Sequence, residues 1–278
     1  MPKYARLRER GRAGDLSAHC RVAEAAHDRQ IVLAHDPDYL RRVRDGLLTR
    51  SEQRSIGFPW STQMLERACH SSGATLAACR SALERGTAAN LAGGTYHTFR
   101  DRGEGYCVLN DSAIALRVLQ AEGRVRRALV IDCDVHQGNG TAAIFRYDPS
   151  VFTFSIHGAN NFPPCKEQSD LDIELPDGTG DREYLDALGA GLAQALVAAN
   201  AELAVYLAGA DPYFDDRLGR LALTRGGLME RDRMVLAACN SAGLAAAVTM
   251  AGGYARDIAD TVDIHYATLQ TAAWFCRH

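Results

Sequence analysis

Five apolar runs, each ending in a polar or glycine-bearing turn, constrain this chain more than any other feature. They are "NLAGG" (90–94), "RALVIDCDV" (127–135), "VFTFSIH" (151–157), "ELAVYLAG" (202–209) and "AAAVTMAGG" (245–253). Apolar residues run almost unbroken through them instead of alternating with polar ones. That is the pattern of strands covered on both faces, and hence of a parallel sheet. The segments between them carry apolar residues at three- and four-residue spacing, which predicts helices over 62–85, 110–122, 182–200, 227–242 and 258–276. Such alternation, with right-handed crossovers, gives an α/β fold: a three-layer α/β/α domain around a mainly parallel central sheet. The 278 residues suit one large domain spanning 1–278, with no repeat, linker or composition shift to mark a second.

Several function classes drop out. No stretch of about 18 apolar residues is present, so a membrane-spanning helix is not expected. The N-terminal "MPKYARLRERGRAG" is basic but lacks the apolar core of a secretory signal, and its first dozen residues read as a solvated helix. A net charge of -3 gives no electrostatic case for nucleic-acid binding. Eight cysteines are scattered without a CxxC pair, which fits reduced thiols and a cytoplasmic location.

Open parallel sheets place their sites beyond the carboxyl ends of the strands. After the second run comes "DCDVHQGNG". If the strand continues, Asp132, Asp134 and His136 share one face. Two buried carboxylates repel strongly and persist only beside a compensating cation. A further carboxylate, Asp211, follows the fourth run in "YLAGADPYF". The plainer alternative is capping: Asp134 or Asn139 for a helix starting near Gly140, and Asp211 ahead of Pro212. Taken together, Asp134, His136 and Asp211 form a set of oxygen and nitrogen ligands without thiolate. Three protein ligands leave a position for water, the arrangement of a catalytic zinc, and Fe2+ or Co2+ would also suit them. His97, in "GGTYHTF", can take a proton from the attacking water and return it to a leaving amine. A surface histidine in a glycine-rich loop is the competing reading. Tyr254, in "AGGYARD", can donate to a developing oxyanion, where a core tyrosine is the competing reading.

The segments "LAGGTYHTFRDRGEGYCVLND", "VIDCDVHQGNGTA", "FSIHGANNFPPCKEQSDLDIELPDGTGD", "YLAGADP" and "GGYARD" resemble the histone deacetylase family, within the arginase/deacetylase fold. The HQGNG form is closest to class IV and its bacterial relatives, and the likeness runs from about residue 35 to the end. The resemblance implies Zn2+ held by Asp134, His136 and Asp211. It implies a structural K+ at Asp132, Asp134, His136, Ser155 and Ile156, with Asp132 also behind the zinc ligands. It makes His97 the general base and acid, Asn139 the residue that orients it, and Tyr254 the group that polarises the acyl carbonyl. Gly105 and Tyr106 would form one wall of an acyl-lysine tunnel, with Phe162 facing them. The expected activity is hydrolysis of an acyl-lysine in a protein or peptide, or of an N-acylated small amine such as a polyamine.

Three departures stand out. Tyr96 occupies the place of the first of two histidines; its hydroxyl is expected to reach Asp132, preserving order there but not charge. This admits a second reading, a catalytically weak relative that keeps the metal and binds acylated ligands. Ala251 replaces the first of three glycines before Tyr254, which is expected to stiffen its approach. Relatives carry a further N-terminal segment that supplies an edge strand, so either the sequence is truncated or the sheet lacks that strand, and an uncovered edge is expected to invite association. An arginase-like dinuclear manganese hydrolase is the third reading, disfavoured because "GADP" offers Asp211 where a D-x-D is needed.

Overall fold

The computed structural model describes residues 2–14, 16 and 20–276. The chain runs α1 (Pro2–Ala13), α2 (Asp28–Ile31), α3 (Pro37–Arg44), α4 (Arg50–Ile56), α5 (Thr62–Arg85), β1 (Thr87–Asn90), α6 (Asp111–Ala121), β2 (Ala128–Asp132), α7 (Asn139–Phe145), β3 (Val151–Gly158), β4 (Leu171–Leu175), α8 (Asp181–Ala199), β5 (Leu203–Leu207), α9 (Arg225–Ser241), β6 (Ala245–Thr249) and α10 (Ile258–Trp274). The six strands form one sheet in the order β1-β6-β5-β2-β3-β4, every pair parallel.

Residue parity along each strand builds the three layers. Leu129 and Ile131 of β2 join Tyr184 and Leu188 of α8, Val235 of α9 and Leu269 of α10. Their neighbours Ala128 and Val130 join Leu76 and Cys79 of α5 and Ile114 and Leu116 of α6 on the other face. Each such aliphatic side chain, fully buried, contributes about 1.5–3 kcal/mol. This double burial is what the unbroken apolar runs encode. Local signals set the helix ends: the Ser61 hydroxyl accepts from Met64 N–H to open α5, and Gly86, at φ 82°, closes it.

From β2 the chain builds outward through β3 and β4, then crosses back to place β5, and later β6, on the other side. The order reverses between β2 and β5, so the crevice beyond their carboxyl ends is the position a site is expected to take.

Several expectations need correction. The first strand is Thr87–Asn90, and residues 91–94 form the loop beyond it. β2 stops at Asp132, so Asp134 and His136 lie in a turn and not on one face of a strand. Neither capping alternative is realised: α7 follows Gly138 without a side-chain cap, and no helix begins at Pro212. β4 was not anticipated, because "LDIEL" is a half-exposed edge strand of mixed polarity. The short helices α2, α3, α4 and α7 were also missed. The expected solvated N-terminal helix is α1, exposed over most of its surface but with Lys3, Leu7 and Gly11 buried along one face. Among the described residues no helix is long and apolar enough to cross a membrane, and all eight cysteines are free.

Candidate active site

Backbone turns beyond β2 and β5 aim three side chains at one point. Asp132 Oδ1 accepts from Asp134 N–H at 3.1 Å, and Asp134 Oδ1 accepts from His136 N–H at 3.0 Å. These are Asx-type turns, in which a carboxylate folds the chain over itself. Val135 N–H donates to Asp211 Oδ1 at 3.0 Å, which ties the β2 turn to the β5 turn. Gly252 N–H donates to Asp134 Oδ2 at 2.7 Å from beyond β6. Glycine is required at this position. A Cβ at 252 would stand 1.7 Å from Asp211 Oδ2.

Asp134, His136 and Asp211, all buried, each offer a ligand atom, and these atoms lie within 4.8 Å of one another. Among the described residues no other group of three or more such side chains comes together this way. His136 Nδ1 is 3.0 Å from Asp134 Oδ1 and 3.4 Å from Asp211 Oδ2. The second approach is outside hydrogen-bond geometry, and Asp211 Oδ2 is left without a donor. Burial pushes the Asp211 carboxyl up to about 7, with the charge of Asp134 adding to it. Burial alone would depress His136, but the two carboxylates beside it overcome that and raise it to about 10. Acidic oxygens crowded around one imidazole, one of them lacking a donor, are what a divalent cation relieves. The donor set fits the group.

His97 is also buried, and burial lowers it to about 4, with the nearby charge of His136 acting the same way. Its ring lies 6.0 Å from that of His136 and 5.0 Å, edge on, from that of Phe162. Its Nδ1 lies 2.6 Å from Asn139 Oδ1, within hydrogen-bond distance. Tyr96 is packed against it, with ring centroids 4.3 Å apart. The Tyr96 hydroxyl makes no hydrogen bond to Asp132, where the sequence leads one to expect it, and the hydroxyl instead helps hold the Asp134 carboxyl down. Asp132 Oδ2 is buried without a partner, and burial with the neighbouring Asp134 charge raises its carboxyl well above the usual range.

Tyr96, His97, Gly105, Tyr106, His136, Phe162 and Tyr254 line one cavity of about 600 Å³. Tyr254 has its ring 6.1 Å from that of Tyr106, and burial raises its hydroxyl far above the ordinary value. Ser155 sits opposite Asp132 in the β2–β3 register, with Ile156 next along.

The histone deacetylase domain model matches residues 3–269. The chain belongs to the histone deacetylase family. Membership makes it a hydrolase of the deacetylase and amidohydrolase kind. An uncharacterized protein of Picosynechococcus is 47% identical over 84% of this chain and 78% of its own length. Histone deacetylase 2 of Arabidopsis thaliana is 30% identical over 76% of this chain and 54% of its own. The acetoin utilization protein AcuC of Bacillus subtilis is 31% identical over 72% and 57%. The chain thus spans little more than half the length of those two relatives. The crystal structure of an HDAC homolog complexed with SAHA has a TM-score of 0.83 at 22% identity, covering 98% of this chain and 77% of the other, so it bears on the fold alone.

Within this histone deacetylase fold, the residues read from the motifs fall together: the Asp134, His136 and Asp211 set, the His97–Asn139 pair, and Tyr254 on the cavity wall. Two neighbours went unread. Glu104, inside "RGEGY", accepts from Asn139 Nδ2 at 3.0 Å. Lys3 donates to the carbonyls of Ala251 (3.1 Å) and Gly253 (3.2 Å) and lies 4.9 Å from the Tyr254 ring centroid. The only sequence signal for Lys3 is its spacing to Leu7 on one helical face, which says nothing about its partner.

Proposed function

We propose that this chain is a zinc-dependent deacylase that hydrolyses the amide of an acyl-lysine or of an N-acylated small amine. The observation that carries the reading is the convergence of Asp134, His136 and Asp211, with His136 and the Asn139-bonded His97 both lining one cavity. Asp134, His136 and Asp211 would hold the ion, with Fe2+ or Co2+ as other occupants these donors suit. When bound, such an ion supplies Lewis acidity to the acyl carbonyl and acidity to a water molecule. His97, neutral at physiological pH because burial depresses it, takes the proton from the attacking water and returns it to the amine. Tyr254 keeps its phenolic proton and donates it as a hydrogen bond to the oxyanion. Gly105, Tyr106 and Phe162 exclude water around the acyl chain. A potassium ion at Asp132, Asp134, His136, Ser155 and Ile156 is part of the proposal, supported by the register that sets Ser155 beside Asp132. The free cysteines fit a cytoplasmic setting.

Tyr96 supports a second reading, a weak catalyst that retains metal and acylated ligand. Metal analysis combined with a fluorogenic acetyl-lysine assay separates the two. One bound ion with hydroxamate-sensitive turnover is expected. One ion without turnover favours the second reading, and two manganese ions would overturn both.

A further inference from the structure

We propose that Glu104 is a positioning residue for His97, acting through Asn139 to fix which imidazole nitrogen carries the proton. Three side chains form a line: His97 Nδ1 lies 2.6 Å from Asn139 Oδ1, and Asn139 Nδ2 donates to Glu104 Oε2 at 3.0 Å. An asparagine amide offers an acceptor on one side and donors on the other, and nothing in its own shape says which way round it sits. The carboxylate decides. A carboxylate accepts and does not donate, so Asn139 must turn its NH2 toward Glu104 and its oxygen toward His97. With that oxygen 2.6 Å away, the imidazole proton belongs on Nδ1, leaving the Nε2 lone pair free. That lone pair is what a general base requires.

Without the carboxylate, Asn139 can turn over. Its NH2 would then donate to Nδ1, the ring proton would move to Nε2, and the base would be in the wrong tautomer. The fold holds Glu104 firmly for this task. Gly105 N–H donates to Ser55 carbonyl at 3.0 Å, Tyr106 N–H to Ile56 carbonyl at 2.8 Å, and Cys107 N–H to Glu104 carbonyl at 2.8 Å. Gly105, at φ +54°, lies flat against His97, since a Cβ there would come 2.5 Å from the ring. The segment that carries Glu104 is therefore laid directly on the histidine it orients.

The catalytic consequence rests on the deacylase reading above; the tautomer itself does not. The test uses the full chain labelled with 15N-histidine, with His97 assigned by difference against His97→Asn. Wild type is expected to show the Nδ1–H tautomer near neutral pH. Glu104→Gln can accept or donate toward Asn139, and is expected to populate the Nε2–H tautomer. Its kcat should fall about 10- to 100-fold with KM little changed. Glu104→Asp, which remains an acceptor, is expected to keep the wild-type tautomer. A chain that shows these tautomers but hydrolyses no acyl-lysine sustains the positioning role and sinks only the substrate reading. An unchanged Nδ1–H tautomer in Glu104→Gln, or an Nε2–H tautomer in wild type, overturns the proposal whatever the turnover.

Discussion

Gly252→Ala puts the metal reading under direct strain. The added Cβ would stand 1.7 Å from Asp211 Oδ2 and 2.5 Å from Asp134 Oδ2. Ordinary contact begins at 3.4 Å, so the Asp211 oxygen must retreat by about 1.7 Å or the backbone must shift with it. Metal–ligand distances tolerate only about 0.2 Å, and the displaced carboxylate would leave the ligand set. Loss of a supporting partner costs 10- to 100-fold in affinity, so loss of a ligand should weaken zinc binding by at least about 100-fold, roughly 2.7 kcal/mol. Gly209→Ala, whose Cβ would sit 2.5 Å from Asp134 Oδ2, should act in the same direction. Gly180→Ala is the control: no heavy atom lies within 4 Å, and φ there is -95°. Competition against a chromophoric chelator gives the affinities, and circular dichroism checks that each variant is folded. If Gly252→Ala binds zinc within about threefold of wild type, the ion is not held by Asp134 and Asp211.

Tyr96→His is expected to raise kcat/KM about 10- to 1000-fold, because an imidazole beside the unpartnered Asp132 Oδ2 can supply charge that a phenol cannot. Matched kinetics of the two proteins check it, and equal rates would count against it. Arg231→Met should cost about 3–5 kcal/mol in urea unfolding. The buried guanidinium bonds Asp232 and the carbonyls of Cys133 and Gly209, and its removal leaves a carboxylate unpaired. His35 is depressed from 6.5 to about 4, chiefly by burial, so the unfolded chain binds its proton more readily. Its contribution is complete above pH 6.5 and is lost as pH falls toward 4. The stability gap between wild type and His35→Gln should narrow by roughly 3 kcal/mol over that interval, as measured by urea unfolding at each pH.

The layered fold was legible because burial on both faces leaves its mark on the two middle strands: "ALVID" and "LAVYL" are hydrophobic up to their carboxyl ends. β4 escaped because an edge strand need not be apolar, and α2, α3 and α4 because helices this short carry less than three turns of periodicity. At the site, residue chemistry was legible and direction was not. Asp134 and His136 were noticed on the premise of an extended strand, whereas Asx turns bring them together. The surroundings of the Tyr96 hydroxyl depend on those turns, which is why the expected bond to Asp132 does not form. Glu104 lacked a signal because its role exists only relative to Asn139, 35 positions away.

Lys3 gives the N-terminal helix a part in holding the Tyr254 loop near the other end of the chain. The loop carrying Tyr254 is moored by an ammonium group some 250 positions earlier, which grips the carbonyls on either side of Gly252. Any cleavage or fusion that peels α1 away would remove that mooring and uncover the core around Leu7, leaving the loop to its bonds with Asp134 and Asp216 while the six strands kept their pairing.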